Sequence, residues 1–184
     1  MAKGTLTTET VVEITMRLID EHGPADLTLS KVSSAAGVAT PSLYKHVRNL
    51  AELRALVSTR VIEEIAERVG AAVLGRAGDD AVRACMTAWR GYAHDHPHRY
   101  AAMIQRPQEH AAKAGERLLH IVSATLHDYR LDADDTIHAV RCLRAALHGF
   151  AVLEAEGGFG LPQDLGDSFE LMIEMVIAGL RSRA

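Results

Sequence analysis

Apolar residues recur along this chain at steps of three and four, the spacing that gathers them on one side of an α-helix, and no stretch alternates with the period of two of a half-buried strand. From Thr8 to His22 the series Val11, Ile14, Leu18 and Ile19 predicts a first helix, which stops at Gly23-Pro24, a C-terminal glycine followed by proline. Leu29, Val32 and Ala36 form a second, shorter face opened by Thr28, whose hydroxyl suits a helix N-cap. Gly37 then stands where a tight turn needs a residue tolerant of positive φ, and small Ser33 lets the next helix cross closely. Thr40-Pro41 supplies a capping hydroxyl and a first-turn proline, so a third helix is predicted from Thr40 to His46. Asn49, followed three residues later by Glu52, resembles a capping box. Behind it Leu53, Val57, Val61 and Ile65 predict a fourth helix running to about Val69, roughly 30 Å long.

Past an interruption from Gly70 to Gly78, the pattern predicts helices near Asp80–Asp95, Pro97–Ile104, Gln108–Arg130, Asp134–Glu156 and Ser168–Arg183. The prolines at 24, 41, 97, 107 and 162 all fall at proposed helix starts or in loops, as helical structure requires. The expected fold is all-α with about nine helices. A three-helix helix-turn-helix head occupies residues 1–49, and a C-terminal helical bundle occupies 50–184.

At about 100° per residue, Leu43 and Val47 of the third helix face the core while Pro41 and Lys45 lie opposite, with Ser42, Tyr44 and His46 on the flanks. That outward set suits a DNA groove: Lys45 for a phosphate or a guanine edge, hydroxyls for phosphate oxygens, and proline for a thymine methyl. The free N–H groups at Thr28 offer a further phosphate site. A compact helical corner with no nucleic-acid role is the plainer reading of such a segment, but the whole order of caps, turn and faces favours a DNA reader.

On Leu27, Thr28, Val32, Ala36, Gly37, Val38, Leu43, Tyr44, His46 and Leu53, the first fifty-odd residues resemble the DNA-binding domain of the TetR (tetracycline-repressor-like) family. The resemblance implies that the helix from Thr40 to His46 lies in the major groove, with Thr28, Thr40, Pro41, Ser42, Tyr44, Lys45 and His46 as DNA contacts. Ser30 stands where many members carry an arginine or other polar residue and Leu50 where many carry a lysine, and Arg48 is the candidate to replace that lysine at phosphate. Leu147-His148-Gly149-Phe150 with Glu154 and the stretch Gly157 to Pro162 is similar to the family branch with a His-Gly-containing (WHG-type) C-terminal domain. Arg144 stands here near where that branch often has tryptophan.

Charge sharpens this picture. The chain carries a formal −4, which argues against general coating of nucleic acid, but Lys31, Lys45, Arg48, Arg54 and Arg60 against Glu52 give +4 between Thr28 and Arg60 and leave −8 elsewhere. At 184 residues and 48% hydrophobic, the chain can bury a proper core. Cys85 and Cys142 cannot build a metal cage; with neither a signal peptide nor a membrane-spanning run evident, they are expected to be reduced thiols of a cytoplasmic protein.

Leu171, Met172, Ile173, Met175, Val176, Ile177, Ala178 and Leu180 leave the last helix apolar around most of its circumference, so a second subunit is the expected cover. With Ile137, Val140, Leu143, Leu147 and Phe150 of the preceding helix it could form a four-helix interface across a two-fold axis. Such a homodimer could present two heads to a palindromic operator. The resemblance also implies a small-molecule effector in the bundle, for which Met86, Trp89, Tyr92, Tyr100, Met103, Ile104, Ile121, His148 and Phe150 are the candidate ligand-binding residues. On spacing alone the same side chains read as ordinary core.

Other chemistry is weaker. His94, His96 and His98 straddle a helix end and point apart, His138 and Cys142 make only two ligands, and the glycines from 157 to 160 lack both the strand and the Gly-Lys-Ser/Thr of a phosphate loop. No metal and no cofactor is expected. A bundle enzyme using His148 and Glu154 as acid and base lacks a paired nucleophile and oxyanion site; a protein–protein adaptor without DNA binding is the other alternative. The reading favoured is a one-component transcription regulator, not an enzyme: a repressor released from its operator by an effector in the bundle.

Overall fold

The computed structural model describes residues 6–103 and 111–183. Among them are nine α-helices and no strand: α1 (Thr8–His22), α2 (Leu29–Ala35), α3 (Thr40–Leu43), α4 (Leu50–Val73), α5 (Gly78–Asp95), α6 (Pro97–Ala102), α7 (Ala112–Thr125), α8 (Ala133–Ala155) and α9 (Leu165–Arg181). A 3-10 turn at His127–Tyr129 separates α7 from α8. The chain forms two compact units: residues 1–62 with 98–114, and residues 63–97 with 115–184, as far as each is described.

In the first unit the local signals act as the side chains dictate. Thr7 Oγ1 accepts from the Thr10 N–H at 3.1 Å to open α1, and Gly23, at φ +76°, closes it by donating to the Ile19 carbonyl at 2.8 Å. Val11, Ile14, Met16 and Ile19 are buried from α1, with Leu27, Val32, Leu43, Val47, Leu53, Val57 and Val61 around them. Leu18, expected inward, is only half-buried, because it borders a surface groove with His22, Lys31 and Ala35. From α6, Arg99 donates to both carboxylate oxygens of Asp20 at 2.7 and 2.6 Å, and His98 Nδ1 lies 3.0 Å from the Asp20 carbonyl.

In the second unit α5, α8 and α9 pack on one another through Val82, Cys85, Met86, Trp89, Leu143, Leu147, Phe169 and Ile173. Burial pushes the Cys85 thiol up to about 12 and so keeps it protonated and inert. Helix ends differ from the periodicity where a side chain intervenes. α7, expected to reach Arg130, stops at Thr125, whose hydroxyl donates back to the Val122 carbonyl at 2.7 Å; Arg130 then takes the left-handed φ of +52°. α9 starts at Leu165, three residues before Ser168, because Asp164 accepts from the Asp167 N–H at 3.0 Å.

The face that α8 turns outward is not the expected one. Val140, Leu143, Leu147 and Phe150, expected at a subunit interface, are buried in the chain's own core, and only Ile137 of that set is exposed. Helix α8 is moderately apolar all round, so its period could not say which side α5 and α9 would take. The outward side carries Arg141, Cys142, Ala145 and Leu153 instead. On α9, by contrast, Phe169, Ile173, Ile177 and Leu180 turn inward, leaving Leu171 and Met175 outside at 58% and 67% exposure.

One polar cluster ties these helices together. Arg90 on α5 donates to both oxygens of Glu154 on α8, at 2.9 and 2.5 Å. Its guanidinium carbon lies 4.5 Å from the Phe169 ring centroid and 5.2 Å from that of Phe150. Hydrogen bonds from Arg90 hold the Glu154 carboxyl below the usual carboxylate range, against the opposing effect of burial. The folded pKa is depressed, so the stability this contributes is full at neutral pH and is lost as pH falls through the folded value. Glu154→Gln is expected to cost about 1–3 kcal/mol at pH 7. Urea unfolding followed across the acid range should show the gap between variant and wild type closing as pH drops.

Candidate nucleic-acid interface

Thr28 opens α2 from an extended backbone, its side chain accepting from the Lys31 N–H at 3.2 Å, and its hydroxyl hydrogen stays available to an outside acceptor. The turn that follows is closed by Ala36, Gly37 and Val38 N–H groups donating to Val32, Ser34 and Ser33 carbonyls at 2.9, 3.1 and 3.0 Å. Gly37 has φ +65°, the conformation that its place in the sequence predicted.

Helix α3 is shorter than expected. Regular α-helix covers Thr40–Leu43; beyond it Lys45 and His46 donate to the carbonyls three residues back, and Tyr44 to His46 form a tight turn. The N-cap position belongs to Ala39, without a side-chain bond, and Pro41 sits in the first turn. Thr40 is therefore not the cap: its Oγ1 lies 2.8 Å from Ser33 Oγ, which also reaches the Ser30 carbonyl at 2.9 Å. Thr8 Oγ1, from the start of α1, donates to the His46 carbonyl at 3.2 Å and holds the other end.

These anchors fix which candidates share the outer face. Leu43 and Val47 are buried; Pro41, Tyr44 and Lys45 are exposed, with Ser42 and His46 half-buried beside them. Lys45 makes no ion pair among the described residues. Arg48 is differently placed. Its Nη2 stands 3.1 Å from Glu52 Oε1, and the hydrogen bond to Glu52, with the attraction between them, raises the guanidinium pKa further. Glu52 also accepts from the Arg48 N–H at 2.5 Å, while its own N–H donates to Asn49 Oδ1 at 2.9 Å. The capping arrangement expected for α4 is thus present with its return bond shifted one residue back. Ser33 is the residue whose role the sequence underplayed: smallness explained its presence, and its hydroxyl link to Thr40 depends on a fold that crosses α2 and α3.

The other candidates are distributed between the units. Met86, Trp89, Tyr92 and Phe150 are buried in the second, where Ile121 and His148 are half-buried. Tyr100 and Met103 are buried in the first, and Ile104 lies outside the described residues. Tyr92 donates to Glu64 Oε2 at 2.7 Å. Burial, and then the charge of Arg144, lower the His148 pKa. Glu154 is engaged by Arg90 and ionises more readily than a free carboxyl, the opposite of what a general acid needs. Two of the three closely spaced histidines have separate partners: the His96 ring lies tilted against that of Tyr92, 5.0 Å between centroids, while His98 turns to Asp20.

Two stretches of the chain match known families. Residues 11–56 match the family model described as bacterial regulatory proteins, tetR family, and residues 82–176 match that of the tetracyclin repressor-like C-terminal domain. The uncharacterized HTH-type transcriptional regulator Rv0681 of Mycobacterium tuberculosis is 34% identical over 183 residues, covering 97% of this chain and 83% of that protein. Among solved structures, BioQ with its double-stranded DNA operator superposes at a TM-score of 0.73 with 19% identity, over 96% of this chain and 99% of that one. A TetR variant from Acinetobacter baumannii in complex with minocycline gives 0.77 with 19% identity, over 98% and 99%.

Replacing Ser33 by alanine removes the hydroxyl link between α2 and α3 and is expected to destabilise the head by about 0.5–1.5 kcal/mol. Hydrogen exchange should register it as faster exchange at the His46 and Val47 amides with little change in α5, α8 or α9.

Proposed function

Because this chain belongs to the TetR family of bacterial regulatory proteins, we propose that it is a one-component DNA-binding transcription regulator, a repressor that a small-molecule effector releases from its operator. Residues 1–49 form the DNA-binding part and 50–184 the effector-binding and dimerisation part. The carrying observation is the outer face of the α3 segment, where Pro41, Tyr44 and Lys45 stand exposed on a backbone pinned at both ends. A side chain of each type is useful in a major groove: a cation, a phenolic hydroxyl and an apolar edge. Thr28, Ser42 and His46 are close enough in sequence and exposure to add phosphate contacts, Arg48 adds one only by giving up Glu52, and Thr40 acts by positioning rather than by touching DNA. The DNA-bound BioQ structure supports an operator as partner, and the minocycline-bound TetR variant supports an effector. A role on DNA supports a cytoplasmic location; no helix among the described residues is long and apolar enough to cross a membrane.

Two copies are joined through α8 and α9. Leu171 and Met175, with Ala178 one turn on, make an apolar stripe on the side of α9 away from its own core, and Ile137 and Leu153 are exposed on α8. A two-fold pairing of these faces covers that surface and sets two heads for a palindrome with half-sites about 34–36 Å apart. An effector among Met86, Trp89, Tyr92, Ile121, His148 and Phe150 acts by linkage: favouring a head spacing that the operator does not fit weakens DNA binding by about 1–3 kcal/mol. Helix α4, continuous from Leu50 to Val73, is the covalent route for that change.

Lys45→Ala is expected to cost about 1–3 kcal/mol of operator affinity. Gel-shift titration of single-base operator variants reads its role, since relaxed preference at one position marks a base contact and uniform loss marks phosphate. Met175→Asp is expected to convert dimer to monomer in sedimentation analysis and to abolish tight binding to the full palindrome; a variant that stays dimeric moves the interface elsewhere.

A further inference from the structure

A groove of about 330 Å³ opens in the first unit, lined by Ile19, Pro24, Ala25 and Leu27 from the end of α1 and its connection, Arg54 and Val57 from α4, and Ala101 and Ala102 from α6. Behind it lie the apolar side chains of Ile19, Leu27 and Val57, which are almost fully buried. Its rim is built of small residues, Pro24, Ala25, Ala101 and Ala102, and their short side chains leave the volume empty. The α6 wall is tied to the end of α1, because Arg99 holds Asp20 with two hydrogen bonds and His98 meets the Asp20 carbonyl. The volume falls within the range of small-ligand pockets.

Charge selects the occupant. Among the described residues Arg54 is the single ionisable side chain lining this groove; it is exposed and makes no ion pair or side-chain hydrogen bond with any of them. Lys31, Arg48 and Arg99 in the same unit each have an acidic partner. A guanidinium with five donors beside an apolar trough matches a ligand whose one polar end is a carboxylate, which it can hold bidentately.

We propose that this groove is a binding site for a small monocarboxylate with a short apolar body, the chain lying between Pro24 and Ala25 on one side and Ala101 and Ala102 on the other, and the carboxylate meeting Arg54. A cation would be repelled there, and a neutral alcohol would gain the apolar contact without the ion pair. The site goes beyond the effector proposed for the second unit and is independent of it, since binding alone reads it.

The test uses the full-length protein with 13C-methyl alanine labels and sodium octanoate below its micellar concentration. The expected result is saturable shifts at the Ala25, Ala101 and Ala102 methyls. Arg54→Gln should weaken them about tenfold or more, with an unchanged melting temperature because Arg54 is exposed and unbonded. Ala101→Leu, which fills the groove, should weaken the shifts at Ala25 and Ala102, and octanol should bind much less well than octanoate. Shifts confined to alanines of the second unit, no saturable shift at the groove, or equal affinities for Arg54→Gln and wild type or for octanol and octanoate would each overturn the proposal. The regulator reading is tested separately, by operator binding, so failure of one leaves the other readable.

Discussion

A single turn of helix has no stable existence of its own in water, because nucleating it fixes several residues for one hydrogen bond. The α3 segment is of that size, yet the whole reading of this protein needs it to hold Pro41, Tyr44 and Lys45 in one fixed array. Tertiary contacts supply what local bonding cannot. Leu43 and Val47 sink into the head, the paired hydroxyls of Ser33 and Thr40 fix the entry, and Thr8 fixes the exit. The array on the outer face is therefore a property of α1, α2 and α3 together, and damage to any one of them reaches it.

The second unit solves a different problem. Its helices carry apolar residues on more than one side, so packing has to select among faces. The Arg90 and Glu154 pair, with Phe150 and Phe169 against the guanidinium, supplies directional contacts that plain apolar packing lacks. Once α5, α8 and α9 are so oriented, the remaining apolar surface on α9 is defined as the outer stripe of Leu171 and Met175.

What was legible in the sequence is what depends on near neighbours. The caps at Thr28 and Asn49, the glycines at 23 and 37 and the proline at 41 act within a few residues, and each appears where the pattern placed it. The all-α class followed from the period of the apolar residues, and so did the buried pair Leu43 and Val47. Contacts made across long stretches of chain were not legible. Thr40 reads equally well as a cap or as a partner for Ser33 until α2 and α3 cross. Arg90 and Glu154 are 64 residues apart, and nothing near either announces the other. The inward side of α8 depends on what packs against it, and the early end of α7 on a hydroxyl that bonds backwards.

The pairing of Arg48 with Glu52 has a consequence for how this head meets a polyelectrolyte. A basic side chain displaces a condensed counterion from the duplex only if its charge is available to a phosphate. Arg48 already has an acidic partner in Glu52, and Lys31 stands 3.4 Å from Asp26. If those pairs persist in a complex, the count of ions released is set by fewer groups than the basic residues between Thr28 and Arg60 number, and the dependence on ionic strength is correspondingly shallower than the sequence alone would give.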